Sequence, residues 1–432
     1  MISVLEPEGP LARMAAMRVL LVSHLFPPAH SAGTELYTAE LGQRLAARGC
    51  TVTVFTTDKD VGREDLSTRH YRHRGLEVIE LVNNLFLEGF HETWDRPEIT
   101  ARFAAVLDEL EPDVVHFQHL MYLSVGCLEE ARRRGMPVLM TLHDFWLECP
   151  RMGQLVHADG GICETVDFAR CGTCLPSFEW RQSALARTAG RAIAKLHALT
   201  HVDLGPVARG AARWAQAAAP KEWRPPAAAE TERFEALARE RTRELRERTI
   251  ASVDRFLSPS RFLVERLVAW GLPAERTFHL PTGVDRAAFA PGPSDGTRDG
   301  TRERSRGVKL RVCFLGTLVP LKGEHILLGA WEALDPDLRA RGTLTLFGPT
   351  EHAPGYAQDL RRRASAVGAR LEGALAREEV AAALAATDLL VVPSLWFENR
   401  PLVVLEALAA RVPLLVSDLG GMAELVEEGV AG

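Results

Sequence analysis

Two carboxylates stand close together near the end of the chain. Glu398 and Glu406 are separated by seven residues in the stretch LWFENRPLVVLEALAA. Glu406 falls within an apolar run that predicts a buried helix, and a buried carboxylate needs a hydrogen-bond donor because leaving it unpaired is costly. Ribose hydroxyls would serve as donors, and Glu398, which precedes the helix, would contact another part of the same ligand. The alternative is a structural glutamate that pairs with the backbone or with a basic residue.

Three further residues have types and positions that suit the binding of a phosphate or a sugar. Gly33 opens a predicted helix after the first buried strand, where free amides and the helix dipole favour a phosphate, although a bare turn glycine is the alternative. Lys322 lies in a turn after RVCFL and suits a diphosphate, although a surface lysine would look the same. His143 follows the strand PVLMTL and could exchange protons near neutral pH. Its alternative is a structural histidine bound to a loop.

Four of the seven cysteines cluster in the middle of the sequence, where they could bind a metal ion. They are Cys149, Cys163, Cys171 and Cys174. The last two form a C-x-x-C knuckle, whose spacing lets two thiolates share one tetrahedral metal, and a bound ion would order the glycine-rich loop around them. We predict a structural zinc, with free thiols, a disulfide or an iron–sulfur centre as alternatives. His116 and His119 resemble a metal pair, but a spacing of three on one strand predicts core or rim roles.

The elements that must position these residues alternate between strands and helices. Buried strands are predicted at RVLLVS, TVTVFTT, DVVHF and PVLMTLH, and a second series at RVCFLG, TLTLFG, LLVVPS and PLLVSD. Such alternation predicts parallel sheets covered on both faces, which bind ligands beyond the carboxyl ends of their strands. We therefore predict two doubly wound α/β domains at 17–290 and 308–432. An insertion at about 148–226 holds the cysteines, and 291–307, without large apolar side chains, is the predicted linker.

The composition is that of an ordinary globular protein. The chain has 432 residues, of which 47% are hydrophobic and 25% charged, with a formal net charge of −6. This charge gives no reason to expect nucleic acid as a partner. No apolar stretch approaches the length that spans a bilayer, and the first residues lack the features of a secretory signal. We expect a cytoplasmic protein, with peripheral contact at the inner face of the membrane left open and the oligomeric state unknown.

Seven sequence fragments between about Arg18 and the C-terminus follow one another in the order found in a known protein family. These are SHLFPPAHSAGTE, TLHDFW, SPSRFLVERLVAWG, PTGVD, FLGTLVPLKG, DLLVVPS and FENRPLVVLEALAARVPLLVSDLGGMAELVEEG. In these fragments the sequence resembles the retaining glycosyltransferases of family 4, which have the GT-B fold. The resemblance implies two Rossmann-like domains facing across a cleft. It also implies a nucleotide diphosphate-sugar donor bound mainly by the C-terminal domain, and a glycan or lipid-linked acceptor bound by the N-terminal one, as in polysaccharide biosynthesis.

The resemblance also implies roles for individual residues. His143 would contact the donor sugar near the reacting carbon, and Glu398 would bind that sugar's hydroxyls. Glu406 would bind the ribose. Lys322 and the amides around residues 400–402 would hold the diphosphate, assisted by Gly33 across the cleft. The implied donor-binding residues are Gly33, Lys322, Arg400, Pro401, Leu402 and Glu406. No catalytic metal is implied, because basic residues and helix ends replace it. Retention would follow from front-face attack, with the leaving phosphate accepting the acceptor's proton.

Two departures from the family pattern leave other functions open. Thr317 stands where many members carry arginine, and the chain ends at Gly432, where members usually continue. We therefore expect an incomplete C-terminal domain. The alternatives are a catalytically weak nucleotide-sugar-binding protein and a GT-B epimerase that acts on the donor alone. A Rossmann dehydrogenase is disfavoured because no G-x-G-x-x-G follows the first strand.

Overall fold

The computed structural model describes residues 17–200, 223–289 and 309–431. The predicted linker 291–307 and residues 201–222 of the predicted insertion lie outside the described residues. The chain divides into two compact units. The first comprises the residues up to Pro259 together with Leu263–Leu280, and the second comprises Ser260–Phe262 and the residues from Pro281 onward.

The first unit is built on one mixed sheet, which has eight strands within the described residues. The strands are β1 (Arg18–Val22), β2 (Thr51–Asp58), β3 (Thr68–His73), β4 (Leu76–Val82), β5 (Val114–Phe117), β6 (Val138–Thr141), β7 (Arg255–Ser258) and β8 (Thr277–His279). Their order is β3-β4-β2-β1-β5-β6-β7-β8, and every pairing except β3–β4 is parallel. Leu20, Leu21 and Val22 are fully buried in β1, as the apolar run predicts for a strand covered on both faces.

The antiparallel edge of this sheet was not predicted from the sequence. In β3 the side chains alternate between exposed and half-buried, and most of them are polar or charged. An edge strand with one solvated face needs no apolar run, which is the signal used for the other strands. Arg69 of β3 pairs with Glu80 of β4, so charge rather than apolar burial marks this hairpin.

Helices connect these strands and cover the sheet. They are α1 (Gly33–Ala46), α2 (Pro97–Leu110), α3 (Gly126–Arg133), α4 (Phe168–Cys174), α5 (Ala184–Thr200), α6 (Ala228–Ser252) and α7 (Arg261–Trp270). The charged helix α6 packs on the first unit through Phe234 and Leu245, which are both buried. Its Arg241 is also buried and donates to the carbonyl of Trp146 at 2.6 Å. No described helix combines the length and the apolar character that crossing a bilayer requires.

The second unit has a fully parallel sheet, with five strands in the part that the structure covers. The strands are β9 (Leu310–Leu315), β10 (Gly342–Phe347), β11 (Arg370–Glu372), β12 (Leu389–Val392) and β13 (Leu414–Val416), in the order β11-β10-β9-β12-β13. The helices are α8 (Arg286–Phe289), α9 (Glu324–Ala333), α10 (Pro336–Ala340), α11 (Pro354–Ala366), α12 (Val380–Ala385) and α13 (Leu402–Ala409). Val312 and Phe314 of β9 enter one core and Cys313 enters the other, so both faces are covered.

Candidate functional site

Two loops of the second unit leave neighbouring strands at the same edge of the sheet. The loop after β9 contains a short 3₁₀ turn, Pro320–Lys322, which leads into α9. The loop after β12 leads into α13, and β9 and β12 pair directly. The amide of Leu395 donates to the carbonyl of Leu321 at 2.8 Å, which ties the two loops together. This is the edge at which open parallel sheets bind ligands.

The carboxylate of Glu398 joins these loops. Lys322 Nζ lies 2.7 Å from Glu398 Oε1, and the hydroxyl of Ser394 and the indole N–H of Trp396 each donate to the same oxygen at 2.8 Å. Burial favours the neutral acid, but the Lys322 ammonium and these hydrogen bonds outweigh burial and lower the pKa of Glu398. Glu398 is therefore an anion at neutral pH, although only 8% of the residue is exposed to solvent.

Glu406 is buried on α13, as predicted, and its partner is a basic residue. The carboxylate is 3% exposed and forms an ion pair with Arg377, whose guanidinium also lies 5.3 Å from the centre of the Phe289 ring. Arg377 stands in a 3₁₀ turn before α12, 29 residues away in sequence. The structure thus shows the alternative given above, a structural glutamate paired with a basic residue. The role of Glu406 at a ribose stays a prediction.

The start of α13 presents backbone amides near the same loops. Pro401 is its N-cap residue, and no side chain within the described residues caps the first turn. Arg400, just before it, directs its Nε toward the carbonyl of Thr282 at 3.4 Å. Free amides at a helix start carry the positive end of the helix dipole and suit a phosphate. The predicted role of Arg400, Pro401 and Leu402 thus has a fitting geometry.

Gly323 and Glu324 anchor the lysine-bearing loop. Gly323 has φ +74°, and a Cβ on it would lie 1.9 Å from the carbonyl oxygen of Pro393, so only glycine fits. Glu324 is fully buried at the start of α9. Burial raises the pKa of Glu324 to about 7, an effect only partly offset by its own amide, the Tyr356 hydroxyl and Lys322. Neither residue was singled out from the sequence as more than part of a turn.

In the first unit, His143 lies where it was predicted, beyond the end of β6. It is half-buried, its Nε2 lies 3.0 Å from Gln118 Oε1, and its ring meets Tyr37 edge-on at 5.1 Å. Burial, reinforced by His119, lowers the pKa of His143 to about 3. The ring therefore stays neutral at physiological pH. The proton exchange near neutral pH that the residue type led us to expect is therefore not supported. The geometry supports a role of His143 as a hydrogen-bonding group.

A polar network that is buried except at Asp144 adjoins His143, and the sequence did not reveal its connections. His119 Nδ1 accepts from the amide of Met121, so its Nε2 donates to Asp144 Oδ2 at 3.0 Å. The His119 ring lies 4.4 Å from that of His24, which pairs with Glu35 of α1 at 3.3 Å. All of these residues follow strand ends or start a helix. His119 is buried, which agrees with the core or rim role predicted for it.

Gly33 begins α1, as predicted, with open space around it. A Cβ on Gly33 would meet no described atom within 4 Å, and no side chain within the described residues caps the helix start. The position is exposed. A ligand could therefore approach these amides, although nothing in the backbone requires glycine here.

The structure does not support the predicted zinc site at Cys149, Cys163, Cys171 and Cys174. All four line one small cavity of about 20 Å³, but within the described residues no group of three or more His, Cys, Asp and Glu side chains is arranged to hold a metal ion. The predicted knuckle is part of helix α4 rather than a loop. Burial raises the pKa of Cys149 to about 11, which favours the thiol. Leu155 and Leu175, both fully buried, give this segment an apolar core instead.

Two family models match the chain. The first, described as a glycosyl transferase 4-like domain, matches residues 32–200, and the second, described as glycosyl transferases group 1, matches residues 309–432. One match falls in each structural unit, and the second match includes Lys322, Glu398 and Glu406. The chain belongs to glycosyltransferase family 4.

Curated relatives of this family 4 glycosyltransferase include two kinds of enzyme. A GDP-mannose-dependent phosphatidylinositol monomannoside mannosyltransferase of Mycolicibacterium smegmatis is 34% identical over 184 residues, which is 40% of this chain and 46% of that relative. A D-inositol 3-phosphate glycosyltransferase of Kribbella flavida is 29% identical over 195 residues, or 43% of this chain and 45% of the relative. The chain thus spans less than half the length of the curated relatives that it matches.

Solved structures share the fold along nearly the whole chain. The HepE protein of Anabaena in complex with UDP-glucose has a TM-score of 0.57 at 17% identity, covering 96% of this chain and 84% of that one. A sucrose-phosphate synthase of Thermosynechococcus elongatus also has a TM-score of 0.57 at 17% identity, covering 94% and 82%. The chain therefore has the GT-B fold, as predicted.

Proposed function

We propose that the protein is a retaining glycosyltransferase that moves a sugar from a nucleotide diphosphate-sugar to a hydroxyl of a glycan or lipid-linked acceptor. The observation that carries this proposal is the contact of the Lys322 ammonium with the buried Glu398 beyond β9 and β12, with Glu406 buried on the helix that follows. An ammonium and two buried carboxylates there match the three parts of such a donor. The diphosphate needs positive charge, and the ribose and the sugar offer hydroxyls as donors to carboxylates.

Binding of the donor would exchange internal ion pairs for contacts with the ligand. Lys322 and the amides at the start of α13 would bind the diphosphate, and Glu406 would accept hydrogen bonds from ribose hydroxyls in place of Arg377. Glu398 would accept a hydroxyl of the donor sugar. Each carboxylate then keeps a donor in both states, which burial requires.

Transfer would depend on stabilising the leaving diphosphate. Breaking the bond between the anomeric carbon and the phosphate oxygen places negative charge on that oxygen. The Lys322 ammonium and the dipole of α13 would stabilise it, and the same oxygen would accept the proton of the attacking hydroxyl. Thr317, in place of the arginine common in the family, leaves this site with one cation fewer. Lys322 then carries most of the charge compensation.

His143 would act as a hydrogen-bonding group toward the donor sugar. Its lowered pKa, about 3, keeps the ring neutral, so it would neither accept nor release a proton during turnover. Gln118 fixes the ring by accepting from Nε2. A fixed neutral imidazole is suited to orienting a sugar hydroxyl rather than to acid–base catalysis.

The names of the relatives supply donors and acceptors for a test. The mycolicibacterial relative is GDP-mannose-dependent and acts on a phosphatidylinositol mannoside, and HepE was solved with UDP-glucose. We propose UDP-glucose and GDP-mannose as first probes, with inositol phosphate and phosphatidylinositol vesicles as acceptors. A lipid acceptor would bring the protein to the inner face of the membrane.

The experiment measures thermal stabilisation by each donor and release of nucleoside diphosphate with and without acceptor. We expect stabilisation by one donor and acceptor-dependent release that is abolished in Glu398→Gln, whereas Glu332→Gln, a variant in the half-buried ion pair with Arg363, behaves as wild type. Conversion of the donor alone to its epimer would show an epimerase. Stabilisation without release by any acceptor would show a binding protein, and no stabilisation by any nucleotide sugar would contradict the proposal.

A further inference from the structure

The carboxylate of Glu398 has two oxygens with very different surroundings. Oε1 receives three donors, from Lys322 Nζ at 2.7 Å and from Ser394 Oγ and Trp396 Nε1 at 2.8 Å each. No hydrogen bond to Oε2 is formed by any residue that the structure describes. A carboxylate accepts through both oxygens, so the hydrogen bonds of this one within the described part of the chain are all on one side.

Trp396 contacts both charged members of this group. Its indole N–H donates to Glu398, and the Lys322 ammonium lies 5.2 Å from the centre of its ring. A cation over the face of tryptophan is attracted by the ring and loses freedom of movement. The half-buried Trp396 therefore constrains the lysine as well as the carboxylate.

The loop that carries Trp396 is itself held on both sides. The residue before it, Leu395, donates its amide to Leu321 at 2.8 Å, and the residue after it, Phe397, packs its ring against Phe262 at 5.4 Å. These contacts, all within the second unit, limit the positions that the indole can adopt. A rigid support of this kind is what an oriented carboxylate requires.

We propose that Trp396 is a positioning residue for the donor sugar, which turns Glu398 so that Oε2 is the oxygen offered to a sugar hydroxyl. This inference rests on the proposed function and names the side chain that sets the geometry of its sugar-binding carboxylate. Lys322 Nζ cannot replace the indole in this role, because the ammonium must also serve the diphosphate. Ser394 supplies one donor, but among the described residues its hydroxyl bonds to Glu398 and not to the lysine.

Two variants separate the contacts of Trp396. Trp396→Phe keeps a ring face for Lys322 and removes the N–H, whereas Trp396→Leu removes both. Calorimetry with UDP, UDP-glucose, GDP and GDP-mannose measures the affinity for nucleotide with and without sugar. For the donor that wild type binds, we expect Trp396→Phe to weaken nucleotide-sugar binding about tenfold and nucleoside diphosphate binding less than twofold, because only the sugar contact depends on the N–H. Trp396→Leu should weaken both.

The pH dependence of nucleotide-sugar binding separates the two possible roles of Trp396, because a loss of packing alone would not change it. The indole N–H is one of the contacts that lower the pKa of Glu398. Its loss should raise that pKa, so the acid limit of binding should shift to higher pH in Trp396→Phe. Trp331→Phe, a change of equal size in the core of the same unit at 8% exposure, is the matched control. It should reduce stability without changing the ratio of the two affinities.

The outcomes distinguish this inference from the proposed function. If wild type binds no nucleotide sugar, the proposed function fails and the inference fails with it. If wild type binds a nucleotide sugar and Trp396→Phe binds it equally well, with an unmoved acid limit, Trp396 has no positioning role although the function stands. Equal weakening of both ligands in Trp396→Phe, together with the stability loss of the Trp331 control, would also overturn the inference and indicate packing alone.

Discussion

The two glutamates of the second unit are held by different cations. Glu398 pairs with Lys322, the only one of the two cations predicted as a site residue, and Glu406 pairs with Arg377. Lysine is a mobile point charge that can follow a diphosphate, whereas arginine binds carboxylates through a planar fork. The proposal therefore needs the Arg377–Glu406 pair to give way when ribose hydroxyls arrive.

Replacing Arg377 tests this exchange. Arg377→Ala leaves Glu406 buried without its cation, so we expect the free energy of unfolding of the second unit to fall by about 1–3 kcal/mol. Saturating nucleotide should then raise the melting temperature more in the variant than in wild type, because the ribose supplies the missing donors.

Differential scanning fluorimetry with and without UDP or GDP checks both expectations. Arg363→Ala is the matched control, since Arg363 pairs with Glu332 and both side chains are about one third exposed; such a pair contributes only about 0–1 kcal/mol. If Arg377→Ala is as stable as this control and responds to nucleotide in the same way, the Arg377–Glu406 pair neither stabilises Glu406 nor competes with a ligand.

At the scale of elements, the site depends on how two loops are fastened beyond β9 and β12. Gly323 brings the lysine loop against the carbonyl of Pro393, and the Leu395 amide closes the contact from the other side. The loops are short and lie on neighbouring strands, so small backbone shifts would separate Lys322 from Glu398. Positioning of charged groups is sensitive to shifts of this size.

Gly323→Ala should damage this arrangement. Its added Cβ would lie 1.9 Å from the Pro393 oxygen at a left-handed φ, so we expect a loss of roughly 2 kcal/mol or more in stability and weaker nucleotide binding. Thermal unfolding and calorimetry measure the two effects. Gly33→Ala is the comparison, because open space around Gly33 predicts unchanged stability. Equal stability of the two variants would show that the close approach at Gly323 does not matter.

The elements could be predicted where apolar runs mark them. β1, β9, β10 and β12 follow directly from their runs, and the positions of Lys322 and Glu398 follow from those strands. The edge strand β3 escaped prediction because its side chains are mostly polar. The Arg377–Glu406 pair and the hydrogen bond from the Trp396 indole to Glu398 depend on side-chain directions, which the spacing of residues in the sequence does not encode. The C-x-x-C pair was assigned to a metal knuckle, although the same spacing also fits one turn of helix α4.

Across the molecule, the first unit contains buried and half-buried histidines that stay neutral. His116 is 8% exposed and its Nε2 lies 2.8 Å from the hydroxyl of Thr141. Burial lowers the pKa of His116 to about 4, and burial with His119 lowers that of His143 to about 3. In the unfolded chain these groups titrate near 6.5. Below that pH the unfolded state binds more protons than the native state, so stability is full above pH 6.5 and falls as the pH falls toward the folded values.

Acid sensitivity of the first unit follows from this difference. Each such histidine should reduce the free energy of unfolding by up to about 1.4 kcal/mol per pH unit below 6.5. Thermal unfolding of the full chain between pH 7.5 and 5.5 measures the effect. His116→Leu should show a shallower decline than wild type, whereas His70→Gln, a change at an exposed position of β3, should not. Identical pH dependence in His116→Leu and wild type would show that the buried ring does not set acid stability.

One nucleotide diphosphate-sugar should span Glu406 and Glu398, and calorimetry of the two glutamine variants tests whether it does. With the donor that wild type binds, Glu406→Gln should weaken nucleoside diphosphate and nucleotide sugar alike by about tenfold, because both contain the ribose. Glu398→Gln should weaken only the binding of the nucleotide sugar and leave the affinity for the nucleoside diphosphate within twofold of wild type. Wild-type affinities for both ligands in both variants would contradict the account.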